Sequence, residues 1–270
     1  MSRLDEIIAN KRRELEDKKN LCPVKMLESS IYCRRHALSL KGNLQRGDGV
    51  GLIAEIKRKS PSRGVINSAV SVEDLSVGYV RAGASALSVL TDNVYFGGKN
   101  EDLARARQLN EIPILRKDFI VDEYQVIEAK SIGADAVLLI AAVLAPDEIK
   151  SLSSFARQLG LEVLLEVHSE EELSRSLCDT IDIVGINNRD LRDFSVNVET
   201  SFKIFHSVPK SVLAISESGI ESAETAKRLR DAGFRGFLIG ERFMKEPRPE
   251  VACAVFVEEL KRLLEGDASG

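Results

Sequence analysis

From about residue 51 onward the chain repeats one pattern: a short run of consecutive apolar positions, a polar turn, then a stretch whose apolar residues recur three and four apart. The runs are Gly51–Ile56, Ala84–Leu90, Ile112–Leu115, Asp135–Ile140, Leu161–Val167, Asp182–Ile186, Ser211–Ile215 and Gly236–Ile239, eight in all. Stretches such as AVLLI, EVLLEV and FLIG are apolar at successive rather than alternate positions, as parallel strands covered on both faces require. The intervening segments VEDLSVGYVRAG, NEDLARARQLN, DEYQVIEAKSIGA, PDEIKSLSSFARQLG, SEEELSRSLC and SAETAKRLRDAG supply the covering helices. Pro146, followed by Asp147 and Glu148, suits a first helical turn, and Gly83, Gly133, Gly160 and Gly233 stand where helices need a left-handed cap.

Successive runs start roughly 21 to 33 residues apart, the spacing of strand–helix units that share neighbours. Eight such units close into an α/β fold, a single (β/α)8 TIM barrel, an architecture of about 250 residues. An open doubly wound sheet is the alternative, but no run is followed by GxGxxG. Residues 1–46 read as a helical N-terminal extension of two or three short helices, broken around Cys22-Pro23 and Gly42, and residues 47–270 as the barrel. In the first helix Leu4, Ile7, Ile8 and Leu15 form an apolar stripe against a charged face. Its expected role is to plug the bottom of the barrel or stiffen the chain, with covering the active face as the alternative. No linker or shift in composition marks a second domain, and the chain ends soon after the eighth unit, so no further catalytic domain is expected.

Composition narrows the functional classes. With 38 Lys and Arg against 42 Asp and Glu, the net charge of −4 provides no field that would gather nucleic acid or anionic lipid. The longest apolar run, Ala136 to Ala145, is far short of the roughly 20 residues of a membrane-crossing helix. The N-terminus lacks the apolar centre of a secretory signal, so a cytoplasmic protein is expected. Cys22, Cys33, Cys178 and Cys253 form no CxxC pair and read as reduced thiols. His36, His168 and His206 are scattered, so no metal site is expected.

Barrel chemistry takes place at the carboxyl ends of the strands. The first run ends AEIKRKSPSRG, with Glu55 and Lys57 two apart and hence on one side of the strand. The third ends ILRKDF, with Lys117 at its exit. The fifth carries Glu166 in LLEVHS, the sixth ends GINNRDL with Asn187 and Arg189, and the seventh ends AISESGI with Glu217 and Ser218. Three carboxylates and two ammonium groups thus converge on one mouth, where burial is costly unless they pair, which marks the constellation as functional. His168 could join it, or could be a hydrogen-bonded residue of the turn.

Ser218-Gly219 and Gly240-Glu241 place small residues where backbone amides can approach an anion, and RFMK offers a short helix before Pro247. This predicts a phosphate site, with Ser60 and Ser62 adding hydroxyls from the loop above. Glu241 fits only if its side chain points outward and the amides alone bind. A Schiff-base aldolase using a strand-end lysine, and a non-catalytic phosphate-binding barrel, are the other readings of this rim.

The segments AEIKRKSPSRG, VLTDNVYFGG, ILRKDFIVDEYQV, LEVHSEEEL, GINNRDL, SESGI and FLIGERFM, in this order over roughly residues 50 to 245, resemble the indole-3-glycerol phosphate synthase family, as does the helical extension. The resemblance implies a cofactor-free lyase of tryptophan biosynthesis acting on a phosphorylated small molecule. It would convert 1-(o-carboxyphenylamino)-1-deoxyribulose 5-phosphate to indole-3-glycerol phosphate, with release of carbon dioxide and water. It implies that Lys117 is the general acid on the substrate carbonyl, that Lys57 holds the aryl carboxylate, and that Lys57 or Glu166 assists dehydration. Glu55, Asn187 and Glu217 would hold the sugar hydroxyls and the lysines. Ser60, Ser218, Gly219, Gly240 and Glu241 would fall on the phosphate-binding positions. Phe96, Phe119, Leu138 and Leu191 would wall the aromatic ring, and Arg189 would line the site. The resemblance extends to no nucleic-acid or membrane partner, and a monomer, or at most a weak dimer, is expected. Phosphoribosylanthranilate isomerase, a sister barrel, uses a Cys and an Asp, and no strand here ends in Cys. The acidity of Lys117 would be set by a contest between a second lysine, which lowers its pKa, and the glutamates, which raise it.

Overall fold

The structure, a computed structural model, describes residues 3–46, 50–191 and 193–266. The boundary expected at residue 47 falls on residues 47–49, outside the described residues. The chain opens with α1 (Arg3–Leu21), α2 (Val24–Glu28), a 3₁₀ turn at Ile31–Arg34 and α3 (Leu40–Leu44). There follow β1 (Leu52–Ile56), a hairpin of β2 (Lys59–Ser60) and β3 (Gly64–Val65), α4 (Val72–Arg81), β4 (Ala86–Leu90), α5 (Asn100–Leu109), β5 (Ile114–Lys117), α6 (Glu123–Ser131), β6 (Ala136–Ile140) and α7 (Pro146–Gln158). The second half runs β7 (Glu162–Val167), α8 (Glu170–Ser176), β8 (Ile183–Asn187), α9 (Glu199–Phe205), β9 (Leu213–Glu217), α10 (Ala223–Ala232), β10 (Gly236–Ile239), α11 (Glu241–Met244) and α12 (Pro249–Gly266).

Strands β1 and β4 to β10 pair in parallel, each with its neighbours in the chain, and β1 closes on β10: the predicted (β/α)8 barrel. All eight apolar runs are its strands, and all six helical segments are helices. Gly83, Gly133, Gly160 and Gly233 have φ of 98°, 94°, 72° and 116°, the left-handed conformation their places demand. The helices α9 and α12 were not foreseen. The stretch before α9 alternates Val196 and Val198 with polar residues and so resembles a strand edge more than a helix.

Side-chain alternation sorts each strand into two faces. Ile53, Leu115, Leu138, Leu164, Ile183, Leu213, Ile215 and Leu238 fill the barrel axis, while Leu52, Ala54, Val137, Val163, Val184 and Phe237 pack outward against the helices. The same parity carried two residues further turns Glu55, Lys117, Glu166 and Glu217 into the mouth.

The extension divides between the two ends of the barrel, which corrects the sequence reading. Gly42 does not break a helix: it lies inside α3, and its amide donates to Ser39 Oγ at 2.8 Å as part of the N-cap. Leu40 and Leu44 of α3 join the axial cluster with Ile53, Ala86 and Leu213, so α3 is the bottom plug. The first helix goes to the opposite end. Leu4 and Ile7 line the mouth, and Lys11 Nζ pairs with Asp92 at 2.7 Å and Asp118 at 3.0 Å, both just past strand exits.

Candidate active site

The mouth holds a cavity of about 970 Å³, counting the space open to solvent. At its floor Lys117 Nζ lies 2.6 Å from Glu166 Oε2 and 3.4 Å from Glu217 Oε2, and Lys57 Nζ lies 2.8 Å from Glu55 Oε1. The register explains the grouping: Asn187 is level with Glu217 on adjoining strands, and Ile140 with Glu166. Gly185, beneath Asn187 on β8, leaves the space that Glu217 occupies; a Cβ there would overlap Glu217 Oε1 and come within 2.9 Å of Leu164 Cδ2.

Burial and mutual charge set the protonation of these groups. Burial alone would lower the pKa of Lys117, but Glu166, Glu217 and Glu55 outweigh it and hold the ammonium well above its ordinary value. The glutamates therefore prevail in the contest over this lysine. Burial would raise Glu166, yet Lys117, His168 and a hydrogen bond from Asn187 bring it down to about 2. Glu217 goes the other way, to about 7, because burial and the neighbouring carboxylates of Glu166 and Glu55 outweigh Lys117. The floor thus carries a fixed carboxylate, a fixed ammonium and a carboxyl that titrates near neutrality.

One wall is apolar. Phe96 and Phe119 face each other with ring centroids 5.9 Å apart, and Leu138, Ile140, Leu191 and Pro61 continue the surface. An adjoining cavity, lined by Glu55, Lys57, Ser62, Arg63, Arg189, Ser218, Gly219, Gly240 and Glu241, extends the site past the ends of β9 and β10. Ser218 has φ of 66° and Gly219 of 74°, so two successive residues hold the left-handed conformation, which is strained for a serine and presents consecutive amides. Glu241 does not turn away from this corner as required above. Its carboxylate lies 2.8 Å from Arg63 Nε and 3.1 Å from Arg189 Nη2, so two guanidinium groups neutralise it in place.

The profile of the family described as "Indole-3-glycerol phosphate synthase" matches residues 4–255. A protein of that name from Bacteroides thetaiotaomicron is 48% identical over 96% of this chain and 98% of its own length, and one from Salinibacter ruber is 42% identical over 97% and 98%. The chain belongs to the indole-3-glycerol phosphate synthase family. Solved structures add the barrel fold: a tryptophan synthase α-subunit from Pyrococcus furiosus superposes with a TM-score of 0.61 at 16% identity, over 79% of this chain and 98% of that one. A thiamine phosphate pyrophosphorylase from the same organism gives 0.59 at 19%, over 84% and 98%.

Relative to the residues singled out from the sequence of this family member, the structure gathers Lys117, Glu166, Lys57, Glu55, Asn187, Glu217, Ser60, Phe96, Phe119, Leu138, Arg189, Leu191 and Ser218 around the first cavity. Gly219, Gly240 and Glu241 lie at the second. Arg3, Arg63 and Phe194 also line the site and were not foreseen; Leu4 and Ile7 join them, in line with the alternative that the first helix covers the active face. The stripe through Leu4 and Ile7 was legible as a packing face, but nothing local shows that it packs over the mouth. Arg63, in the loop SPSRG, and Arg242, which opens RFMK, are basic residues at the second cavity to which the sequence reading gave no role.

Proposed function

We propose that this enzyme is a carboxy-lyase that closes the indole ring of 1-(o-carboxyphenylamino)-1-deoxyribulose 5-phosphate, with loss of carbon dioxide and water and without a cofactor. The observation that carries the reading is Lys117, gripped by Glu166 and Glu217 on the floor of a cavity with an aromatic wall on one side and a corner of amides and arginines on the other. In this reading the phosphate sits on Ser218, Gly219 and Gly240 with Ser60, Arg63 and Arg189 near, while Lys57 holds the aryl carboxylate. Phe96, Phe119, Leu138 and Leu191 hold the ring, so a flexible substrate is folded with its aryl carbon against its carbonyl. Lys117 gives its proton to the carbonyl oxygen, and the ammonium stabilises the charge developing there in a dry pocket. Glu166, held as a carboxylate, takes the proton lost from the methylene carbon beside the amine as water leaves, and Glu55, Asn187 and Glu217 hold the sugar hydroxyls and the lysines.

A Schiff-base mechanism needs a neutral amine, and the glutamates that keep Lys117 protonated favour acid catalysis instead. The reading also has the enzyme working in the cytoplasm as a monomer, with residues 1–46 an extension of the catalytic barrel of residues 47–270. The test is direct. Purified protein incubated with the carboxyphenylamino-deoxyribulose phosphate in the presence of EDTA is expected to generate indole fluorescence, and a silent mixture overturns the assignment.

A further inference from the structure

The proposed reaction leaves a proton balance that its acid and base do not close. The carbonyl oxygen departs as water and so collects two protons, one at ring closure and one on leaving, whereas the methylene carbon beside the amine returns only one. Charge gives the same count, because a carboxylate leaves as neutral carbon dioxide. Each turnover therefore consumes one proton.

Glu166 faces two ways. Its Oε2 is 2.6 Å from Lys117 Nζ, and its Oε1 is 3.5 Å from Nε2 of His168, which is within ion-pair range but too long for a made hydrogen bond. His168 follows β7 and is pinned by Glu172 of α8, whose Oε2 accepts the His168 backbone amide at 2.7 Å and lies 3.3 Å from Nδ1. The ring is thereby oriented with Nε2 inward. That atom is buried and has no hydrogen-bond partner among the described residues. The acidic groups facing the imidazole are Glu166 and Glu217 from the barrel interior and Glu172 from α8; together they hold its pKa above the ordinary 6.5 in spite of burial.

Resting on the carboxy-lyase reading, we propose that His168 is the proton reserve of the site, a positioning residue that acts on the substrate only through Glu166. The imidazolium gives its Nε2 proton to Glu166 Oε1 and keeps Nδ1–H on Glu172. The Glu166 carboxyl, turning about its terminal bond, passes the proton to the lone pair left on Lys117 Nζ, so that Lys117 is an ammonium again while substrate still fills the cavity and can give a second proton to the departing hydroxyl; the proton Glu166 then takes from the substrate carbon recharges Lys117 by the same route. His168 regains its proton from water once product has left.

The test is the pH dependence of kcat in the full-length enzyme. His168→Ala is expected to keep KM within about twofold and lose on the order of tenfold in kcat near neutral pH. Added imidazole should restore the lost rate in proportion to its protonated fraction. Glu172→Gln keeps an oxygen to accept the backbone amide but removes the charge behind the ring, so the fall of kcat on the alkaline side should move to lower pH. A wild-type kcat and pH profile in His168→Ala overturns the proposal, as does a loss that imidazole does not relieve or an alkaline limb that stays in place in Glu172→Gln. Absence of turnover in the wild type would instead overturn the carboxy-lyase reading itself.

Discussion

At the scale of single residues, the site is built on opposed protonation states rather than on a weakened acid. Lys117 stays an ammonium because the glutamates around it outweigh burial, so in the proposed reaction its readiness to give up a proton would come from the strongly basic alkoxide forming on the substrate, not from its own resting acidity. Replacing Lys117 by Ala should therefore lower kcat about 10²- to 10⁴-fold with little change in KM, as steady-state kinetics would register; near-normal turnover would remove Lys117 from the acid role. Glu217 makes a second prediction. Its proton is held in the folded chain up to about pH 7, whereas an unfolded chain loses it near the ordinary 4.5. Between those values the folded state binds more protons, so stability is fully present below the lower pH and declines as pH rises through the upper one. Glu217→Gln removes this contribution, roughly 1–3 kcal/mol given its coupling to Lys117 and Glu166. The Tm of the wild type minus that of the variant should fall between pH 5 and 7.5, and a difference independent of pH would contradict the raised carboxyl.

At the scale of elements, α1 is fastened to the mouth by charges that have left water. Burial would lower the pKa of Lys11, but Asp118 and Asp92 outweigh it and hold the ammonium well above its ordinary value. Asp118 in turn is held well below the usual carboxylate range, in spite of burial, by Lys11 and by Arg116, a fully buried residue also bonded to Glu128. Removing one partner from such a cluster strands the others, so Lys11→Met should cost about 3–5 kcal/mol and free the first turns of α1 from the mouth. Urea unfolding that shifts by less than about 1 kcal/mol would show the cluster to be dispensable. The same helix marks the limit of what the sequence discloses. Runs such as AVLLI and EVLLEV announce buried parallel strands because every position is apolar, and the acids and lysines two residues beyond them declare the mouth through strand parity alone. The stripe of Leu4, Ile7 and Leu15 announces only a helix that packs. Which end of the barrel it covers is decided by Lys11 meeting Asp92 and Asp118, residues far along the chain whose proximity exists only once the barrel has closed. Arg63 escaped notice for a similar reason, since its partner Glu241 belongs to the eighth unit.

At the scale of the whole molecule, the extension reaches both ends of the barrel, with α3 against its base and the first turns of α1 beside its mouth. Leu40 and Leu44 are 0% and 1% exposed and continue the axial column of Ile53, Ala86, Leu213 and Ile215, so α3 covers apolar side chains at the base of the barrel. Polar contacts fix the plug in register: the Lys41 amide donates to Glu162 at the start of β7, and the Asn43 side chain donates to the Ser85 carbonyl just before β4. Asp135, at the foot of β6, accepts the Leu38 amide and pairs with Arg35 and Arg107, tying the approach to α3 into the same floor. Burying two leucines is worth roughly 3–6 kcal/mol, a large part of the 5–15 kcal/mol by which a typical protein is stable. The extension and barrel should therefore open together. In hydrogen exchange the amides of Asn43 and Gln45, bonded to Ser39 and Lys41 of the plug, should exchange only at the rate of the central strand β1. A chain lacking residues 1–46 should lose most of its stability and expose an apolar base that associates at micromolar concentration. Exchange of α3 well ahead of β1, together with a soluble and cooperatively unfolding truncated barrel, would mean that the plug is an accessory and that the barrel floor is sealed by its own side chains.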